Sequence, residues 1–393
     1  MLSFCHAFPG HRAEAQQSLN MQLAVIETAP ETALTRLLDA LGVLYQKSAL
    51  EEVPAGLGDD KFVLILSEEK LVEAFTLAHT RRTNVKEFFS NYACVLVYPM
   101  EGTANGLTAL GEWVCGEVEV ARAREDDQHY SIKPLDISGP FAGLRFGSGN
   151  QQECGLVFRN TSYPVESIAR KGPLDLFVRI TLADTELFAV GSNVVFDVDA
   201  EVRKNLDAAT CFSSLVPLLL FLRHCNVPRW QSAYHGANVV IDDPNLKPDY
   251  GFVNAEKLAQ GVDELGCAVS IGFIPWNFKR TSPKVVKLFR DKWPQLSLAV
   301  HGCDHTGGEF STDTLSAAQQ LVELGLSRMR RFTANTGLRH DRVMVFPQGK
   351  FSSTAMHALR QSEMLAAVNT ELADHRAGRG VRAGELLQPA ITS

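Results

Sequence analysis

Five short apolar runs alternate with amphipathic segments in the second half of the chain. The runs cover residues 238–241, 268–274, 296–300, 342–346 and 365–368, and the spacing between them predicts helices near 254–265, 283–293, 315–335 and 353–361. Strands that are apolar throughout are buried on both faces, and strands separated by helices form parallel sheets with right-handed crossovers. The pattern therefore predicts an α/β domain over residues 237–393, with a sheet that is either open or rolled into a barrel.

The first half of the chain shows a different pattern of apolar and turn-forming residues. Apolar runs at residues 61–66 and 93–98 flank a helical spacing at 68–80, which predicts a small α/β domain over 20–115. Residues 118–200 contain short apolar runs punctuated by glycine and proline, at 155–158, 175–182, 186–190 and 193–198, and are interpreted as a β-rich segment. Residues 210–224 predict one strongly apolar helix.

Composition excludes several classes of protein. The 393 residues carry 45 acidic and 38 basic side chains, a formal net charge of −7, and hydrophobic residues make up 45%. These values are typical of a globular protein, and the charge provides no basic field for a phosphate backbone or an anionic membrane. The longest apolar stretch, at residues 215–222, is too short to span a bilayer. We therefore expect neither a nucleic-acid partner nor a membrane span.

Cysteine usage and the first residues bear on location. The eight cysteines stand singly, without a Cys-x-x-Cys pair, which favours a reducing compartment over a disulfide framework. Residues 1–22 contain two histidines, a proline and a pair of glutamines instead of a basic segment followed by an apolar core, so they do not match a secretory signal. The expected location is cytoplasmic, and the oligomeric state is left open.

Chemistry-bearing residues follow three of the predicted strands. Asp242 and Asp243 come directly after the first run, His301 and His305 follow the run at 296–300, and Pro-Gln-Gly-Lys at 347–350 follows the run at 342–346. Functional groups in α/β folds gather at the carboxyl edge of the sheet. Two carboxylates at one strand end and two imidazoles at another are the ingredients of a metal site with a neighbouring base.

The spacing suggests which of these residues bind a metal and which accepts a proton. Successive residues leaving a strand point in different directions, so one of Asp242 and Asp243 can ligate a metal while the other accepts a proton. Residues four apart on a helical turn face the same way, which predicts that His301 and His305 offer ring nitrogens to one ion. Two histidines and one carboxylate leave positions for water and substrate, as in catalytic zinc sites, and they also suit iron or cobalt. We expect a divalent metal here, with zinc first.

Neighbouring residues have alternative interpretations. An Asp-Asp-Pro sequence most often forms a turn, and Cys303, between the two histidines, is interpreted as a packing residue. Trp276 follows a predicted strand, where it either stacks on a sugar ring or packs as an ordinary aromatic residue. Asp304 is expected to orient a ligating histidine, and Arg328 to belong to a solvated helix face.

Taken together, these motifs resemble a known family. The Asp-Asp pair, the His-x-x-x-His about 60 residues later and the following strand with its proline loop are similar to the polysaccharide deacetylases of the chitooligosaccharide-deacetylase type. The resemblance covers about residues 238–370, and it implies a distorted (β/α) barrel. It also implies that Asp242 is the general base, that Asp243, His301 and His305 bind a divalent metal, and that the partner is a carbohydrate-like small molecule or glycan.

The chain departs from that family in several places. Pro244 and Gly302 stand where the family usually has glycine and Ser or Thr, and its Arg-containing proline motif is replaced by a segment in which Gln348 or Lys350 is expected to substitute at the substrate site. Five predicted strands are fewer than a closed barrel needs, so either the sheet is open or the chain is a fragment truncated at its C-terminus. The family's late histidine would then lie beyond about residue 370, where this chain has His375.

The sequence therefore predicts a metal-dependent hydrolase that removes an acyl group, acetyl first, from a carbohydrate-like amide or ester. Two alternatives stay open. One is a different metal-dependent amide or phosphoester hydrolase on a related barrel. The other is a non-catalytic binding or scaffold protein with a degenerate deacetylase domain, which the incomplete barrel favours and the matching site residues oppose.

Overall fold

A computed structural model of the chain describes residues 2–3, 22–26, 29, 31–50, 62–122, 129–147, 154–183, 185–203, 208–229, 238–369, 374 and 380–387. The chain divides into two compact units. The C-terminal unit comprises Met1–Arg12, Glu201–Asn205 and Ser232–Val381, and the N-terminal unit comprises Ala13–Ala200, Leu206–Gln231 and Arg382–Ser393. The domain bounds expected from the sequence stay a prediction.

The strands, in chain order, are β1 (Leu2–Ser3), β2 (Leu23–Ile26), β3 (Tyr45–Ser48), β4 (Phe62–Leu66), β5 (Tyr92–Val97), β6 (Glu117–Arg122), β7 (His129–Ile132), β8 (Arg145–Gly147), β9 (Cys154–Arg159), β10 (Val165–Lys171), β11 (Leu174–Thr181), β12 (Glu186–Val190), β13 (Glu201–Val202), β14 (Asn238–Asp242), β15 (Asp249–Tyr250), β16 (Val253–Asn254), β17 (Ala268–Phe273), β18 (Leu296–His301), β19 (Val343–Val345), β20 (Ala366–Val368) and β21 (Val381–Arg382).

The α-helices are α1 (Ala33–Ala40), α2 (Glu68–Arg81), α3 (Val85–Phe89), α4 (Ala104–Val114), α5 (Ala208–His224), α6 (Ala255–Leu265), α7 (Pro283–Asp291), α8 (Leu315–Thr336), α9 (Ser353–Arg360) and α10 (Ala383–Leu387). Short 3-10 helices cover Asp136–Phe141, Pro275–Asn277 and Pro347–Gly349.

A parallel sheet organises the C-terminal unit. Its strand order is β1-β14-β17-β18-β19-β20, with β1 antiparallel at the edge and the other five strands parallel. The five predicted strands and the four helices between them are confirmed. Because the parallel strands follow one another in chain order, every right-handed crossover steps in the same direction, which curls the sheet as a half-barrel.

The helices of this unit bury one apolar face each. Phe289 of α7 and Val322, Met329 and Phe332 of α8 are buried in one core cluster with Phe273 of β17. Full burial of such side chains stabilises the fold by roughly 1.5–3 kcal/mol each. This core sets the position of β14, β17 and β18, whose carboxyl ends carry the predicted site.

The N-terminal unit contains a mixed sheet of eleven strands. Its order is β3-β2-β4-β5-β12-β11-β10-β7-β8, with β6 and β9 paired beside β11. The strands of the predicted α/β and β-rich segments are thus hydrogen-bonded into one sheet, because β12 pairs with β5 in parallel. The apolar run at 193–198 is not a strand as predicted: the sheet strand ends at Val190, and the following residues are irregular.

The predicted apolar helix at 210–224 is confirmed as α5, in which Phe212, Leu218, Phe221 and Leu222 are fully buried. None of the helices in the described part of the chain combines the length and apolarity needed to cross a bilayer.

Candidate metal centre

The predicted site residues lie at the carboxyl ends of neighbouring strands. Asp242 ends β14, Asp243 follows it, and His301 ends β18, while β17 runs between these two strands. The parallel register that pairs Asp242 with Gly272 brings the ends of the strands to one edge of the sheet. The sheet therefore joins two motifs that are separated by nearly 60 residues in the sequence.

Asp243, His301 and His305 converge on a single point. The Nε2 atoms of His301 and His305 lie 3.1 and 3.0 Å from Oδ1 of Asp243, and the two ring centroids are 4.9 Å apart. One donor atom from each of the three residues lies within 4.8 Å of the others. His301 is buried, whereas the Asp243 side chain is 52% exposed, so the cluster is anchored on one side and open on the other.

A backbone contact orients the His301 ring. Its Nδ1 lies 3.0 Å from the carbonyl oxygen of Val345 on β19. A carbonyl only accepts, so Nδ1 carries a proton and donates, and Nε2 is the ring nitrogen that faces Asp243. Ligating histidines in metal sites are held by such a contact through the other ring nitrogen.

His305 is brought to the cluster by a loop and not by the helical turn that the sequence predicts. The expected helical turn is absent: residues 302–305 form a loop in which Gly302 and His305 have φ angles of 63° and 59°. The Glu309 carboxylate holds this loop by accepting backbone N–H groups of Cys303, Asp304 and His305, at 2.8, 3.1 and 3.3 Å. Glu309 was not among the predicted site residues, and a carboxylate four residues after His305 is the only signal that could have pointed to it.

Gly302 has to be glycine at the start of this loop. An added Cβ would lie 2.2 Å from Oε1 of Glu309 and 2.3 Å from Cγ of Pro347. Its positive φ is also a conformation that other residues adopt at a cost. The departure from the Ser or Thr of the resembled family therefore follows from the way this loop closes against Glu309 and Pro347.

Asp242 lies beside the cluster without joining it. Its Oδ1 is 2.9 Å from the point where a Cβ on Gly272 would lie, so the absence of a side chain on β17 makes the room for this carboxyl. Partial burial raises the pKa of Asp242, and the Asp243 carboxylate adds to the shift, while His301 and His305 oppose it. Asp242 and Asp243 thus occupy different environments, as expected for residues with different roles.

The residues around the loop have other partners than expected. Asp304 pairs with Arg328 instead of a histidine, and Arg328 also donates to the Cys303 carbonyl at 3.2 Å. The Arg328 side chain is only 13% exposed, so it is not part of a solvated helix face. The packing role of Cys303 agrees with its complete burial, which raises the pKa of the thiol to about 12.

Trp276 follows β17 at the same edge of the sheet. Its backbone N–H donates to the Cys303 carbonyl at 3.1 Å, and the Arg328 guanidinium lies 5.1 Å from its ring centroid. The residue is 52% exposed. The indole is therefore held on one side and accessible on the other.

Gln348 and Lys350 are exposed beside the histidine loop. Gln348 Oε1 lies 3.9 Å from the point where a Cβ on Gly307 would be. Lys350 Cδ lies 3.9 Å from the corresponding point on Gly308. Their role in binding substrate stays a prediction. His375 lies outside the described residues.

The donor set of the cluster suits a divalent metal. Two imidazole nitrogens and one carboxylate oxygen provide three ligands, and one face stays open to water and substrate. Asp243, His301 and His305 would hold the ion, while zinc, iron and cobalt all accept such ligands.

The fold and the site together define a mixed α/β protein with a two-histidine, one-carboxylate cluster at the carboxyl edge of a curled parallel sheet. Solved structures similar to this chain include polysaccharide deacetylases and their relatives. Agd3, described as a novel carbohydrate deacetylase, has a TM-score of 0.48 and 11% identity over 89% of this chain and 65% of that one.

Two others match smaller parts. A family 4 carbohydrate esterase from Streptomyces lividans, in complex with acetate, has a TM-score of 0.26 and 14% identity over 34% of this chain and 62% of that one. A pseudoenzyme of the same CE4 family from Bacillus anthracis has a TM-score of 0.25 and 11% identity over 33% and 42%. The chain spans less than two thirds of the length of each of these three proteins. No family model matches the sequence. No curated protein matches it either.

Proposed function

We propose that this protein is a metal-dependent hydrolase that removes an acetyl group from a carbohydrate-like amide or ester. The observation that carries the proposal is the convergence of the His301 and His305 Nε2 atoms on one Asp243 oxygen, with Asp242 beside them. A divalent metal held there would supply a Lewis acid that polarises the scissile carbonyl and makes a water molecule more acidic.

The protein's own residues would accept the proton of the attacking water and orient the metal ligands. Asp242 would accept the proton of the attacking water, because it leaves the strand next to Asp243 and its oxygens are not among the three converging donor atoms. Partial burial raises the pKa of Asp242, which favours proton acceptance by this carboxylate. The contact between His301 and Val345 fixes the ring that the metal would share with Asp243.

The carbohydrate substrate is the part of the proposal that the sequence resemblance suggests. The half-exposed face of Trp276 provides an apolar surface on which a sugar ring can stack, at the same sheet edge as the cluster. Gln348 and Lys350, which are exposed beside the histidine loop, would supply polar contacts to the substrate. Agd3 is described as a carbohydrate deacetylase, in agreement with this class of substrate.

The roles are tested with protein purified without chelator, by measuring bound metal and the release of acetate from acetylated esters and from N-acetylated oligosaccharides. Asp242→Asn is expected to keep the metal and lose about a hundred- to ten-thousand-fold in rate, the usual worth of a positioned base. His305→Ala is expected to lose the metal itself. The exposed residues Asp291 and His357 supply matched controls, as Asp291→Asn and His357→Ala, which should change neither quantity.

Other outcomes would redirect the proposal. Equal metal loss in Asp242→Asn and His305→Ala would make Asp242 a ligand. Release of phosphate from phosphoesters, without release of acetate, would favour the alternative hydrolase. A fully metallated wild-type protein that hydrolyses none of these substrates, yet binds oligosaccharide, would favour the binding protein.

A further inference from the structure

A second group of ligand-type side chains lies within the N-terminal unit, and the proposed hydrolase does not use it. Cys94 on β5 and Glu186 on β12 are register partners in two parallel strands, and His224 is the last residue of α5. His224 Nε2 lies 2.7 Å from Glu186 Oε2, and Cys94 Sγ lies 3.7 Å from the same oxygen. One donor atom from each of the three residues lies within 4.8 Å of the others.

The environment of this group is largely closed. Cys94 is 5% exposed, and the side chains of His224 and Glu186 are 18% and 29% exposed. The ring of Phe188 meets the His224 ring edge to face at 5.5 Å. Arg179 lies 3.5 Å from the other carboxylate oxygen of Glu186, Oε1, so Oε2 is the oxygen that faces the group.

Cys225 brings a second thiol to the same place. It follows His224 in the sequence, is 2% exposed and interacts with Cys94 through its side chain. That interaction lowers the pKa of Cys94, against the opposing effect of burial, and with the contribution of His224 brings it to about 6. Cys225 borders the three donor atoms without joining them, because, among the described residues at this place, only Cys94, Glu186 and His224 have donor atoms that all lie within 4.8 Å of one another.

We propose that Cys94, Glu186 and His224 form a second divalent-metal site that takes zinc in a structural role. Zinc bonds of about 2.0–2.3 Å in a tetrahedron place neighbouring donor atoms about 3.3–3.8 Å apart. The contact between Cys94 and Glu186 already has this length, and the contact between His224 and Glu186 has to open by less than about 1 Å.

Burial favours a structural metal over a thiol nucleophile at this position. A nucleophile needs a cleft through which a substrate reaches the sulfur. The cavity of about 360 Å³ in the same unit is lined by other residues, including Met100, Val120 and Gly191. Three ligands in a largely closed environment, which join two strands to the end of a helix, suit a metal that stabilises the fold.

Cobalt titration of the full chain tests the site, because thiolate ligands give cobalt a near-ultraviolet charge-transfer band that nitrogen and oxygen ligands do not give. The cluster of Asp243, His301 and His305 contains no thiol, so the band reports on the second site alone. We expect the reduced, metal-free wild-type protein to develop the band, to saturate it by about two equivalents because the cluster of Asp243, His301 and His305 also takes cobalt, and to lose it when excess zinc is added.

Four variants, each checked for folding by circular dichroism, complete the test. Cys94→Ser should lose the band, and Glu186→Gln should weaken cobalt binding at this site by about tenfold or more. Cys115→Ser, which changes an exposed cysteine of the same unit, and His305→Ala, which empties the proposed hydrolase site, should both keep it. A wild-type protein without the band, or a band that persists in folded Cys94→Ser, overturns the inference. Neither result bears on hydrolase activity, so the two proposals fail separately.

Discussion

Removal of the Glu309 carboxylate is the perturbation that most directly tests how the His301–His305 loop is held. Glu309 accepts three backbone N–H groups at 2.8–3.3 Å, and one of them belongs to His305 itself. Hydrogen bonds to an ionised group contribute about 1.5–3 kcal/mol each, but water replaces part of this on a partly exposed loop. We therefore take the net loss in Glu309→Ala to be about that of a single bond.

We expect the loss of this free energy to appear as weaker metal binding. The loop has to be ordered before His305 can ligate, so about 1.5–3 kcal/mol corresponds to a decrease of about 10- to 100-fold in metal affinity. Glu309→Gln keeps one acceptor oxygen and loses the charge, so its affinity should fall between those of Glu309→Ala and the wild type. Glu256→Ala removes an exposed carboxylate on α6 and is the matched control.

The assay is competition with a chromophoric chelator, which reports the affinity for metal directly. Circular dichroism and thermal unfolding show whether each variant is folded. A folded Glu309→Ala protein that binds metal as tightly as the wild type would refute the reasoning, because the His305 loop would then be ordered without the carboxylate.

Three further predictions follow from the same structure. Gly272→Ala places a Cβ 2.9 Å from Oδ1 of Asp242, so it should displace the Asp242 carboxylate. Acetate release should then fall by about 10- to 100-fold with the metal content unchanged, and loss of metal would contradict this role of Gly272. Trp276→Ala should raise KM for an oligosaccharide several-fold and leave hydrolysis of a small aryl acetate unchanged, whereas equal effects on both would exclude a sugar-stacking role. Hydrogen bonds from Arg179 lower the pKa of Asp136 in the folded protein. The Asp136 carboxylate therefore stabilises the fold above its unfolded pKa of about 4, and this contribution is lost as the pH falls through the lower folded pKa. In Arg179→Gln, unfolding curves should show a smaller loss of stability below about pH 4, and an acid profile identical to that of the wild type would refute the link.

The sequence could predict the elements of the C-terminal unit because their signals are local. Hydrophobic periodicity marked the five parallel strands and the four α-helices between residues 238 and 368, and the strand ends located Asp242, Asp243 and His301 at one sheet edge. The run at 193–198 shows the limit of this reasoning: its residues are apolar enough for a strand, but strand pairing ends at Val190. Apolar character is local, whereas the availability of a pairing partner is not.

The site itself was predictable only in part, for a similar reason. The spacing of His301 and His305 predicted that they offer ring nitrogens to one metal ion, but from a helical turn that does not form. Their approach depends on the left-handed backbone of Gly302 and on Glu309, whose role arises from loop closure and not from a motif. The room for Asp242 likewise depends on Gly272, which lies on a different strand.

The sequence by itself determined the α/β rhythm, the five parallel strands and the types of residue at their ends, because these follow from periodicity and side-chain chemistry. Only the tertiary structure brought Cys94, Glu186 and His224 together, since 92 residues separate the first two and 38 the last two. No spacing rule spans such distances. Their meeting follows from the parallel pairing of β5 with β12 and from the packing of α5 in the same unit, and these are properties of the assembled sheet.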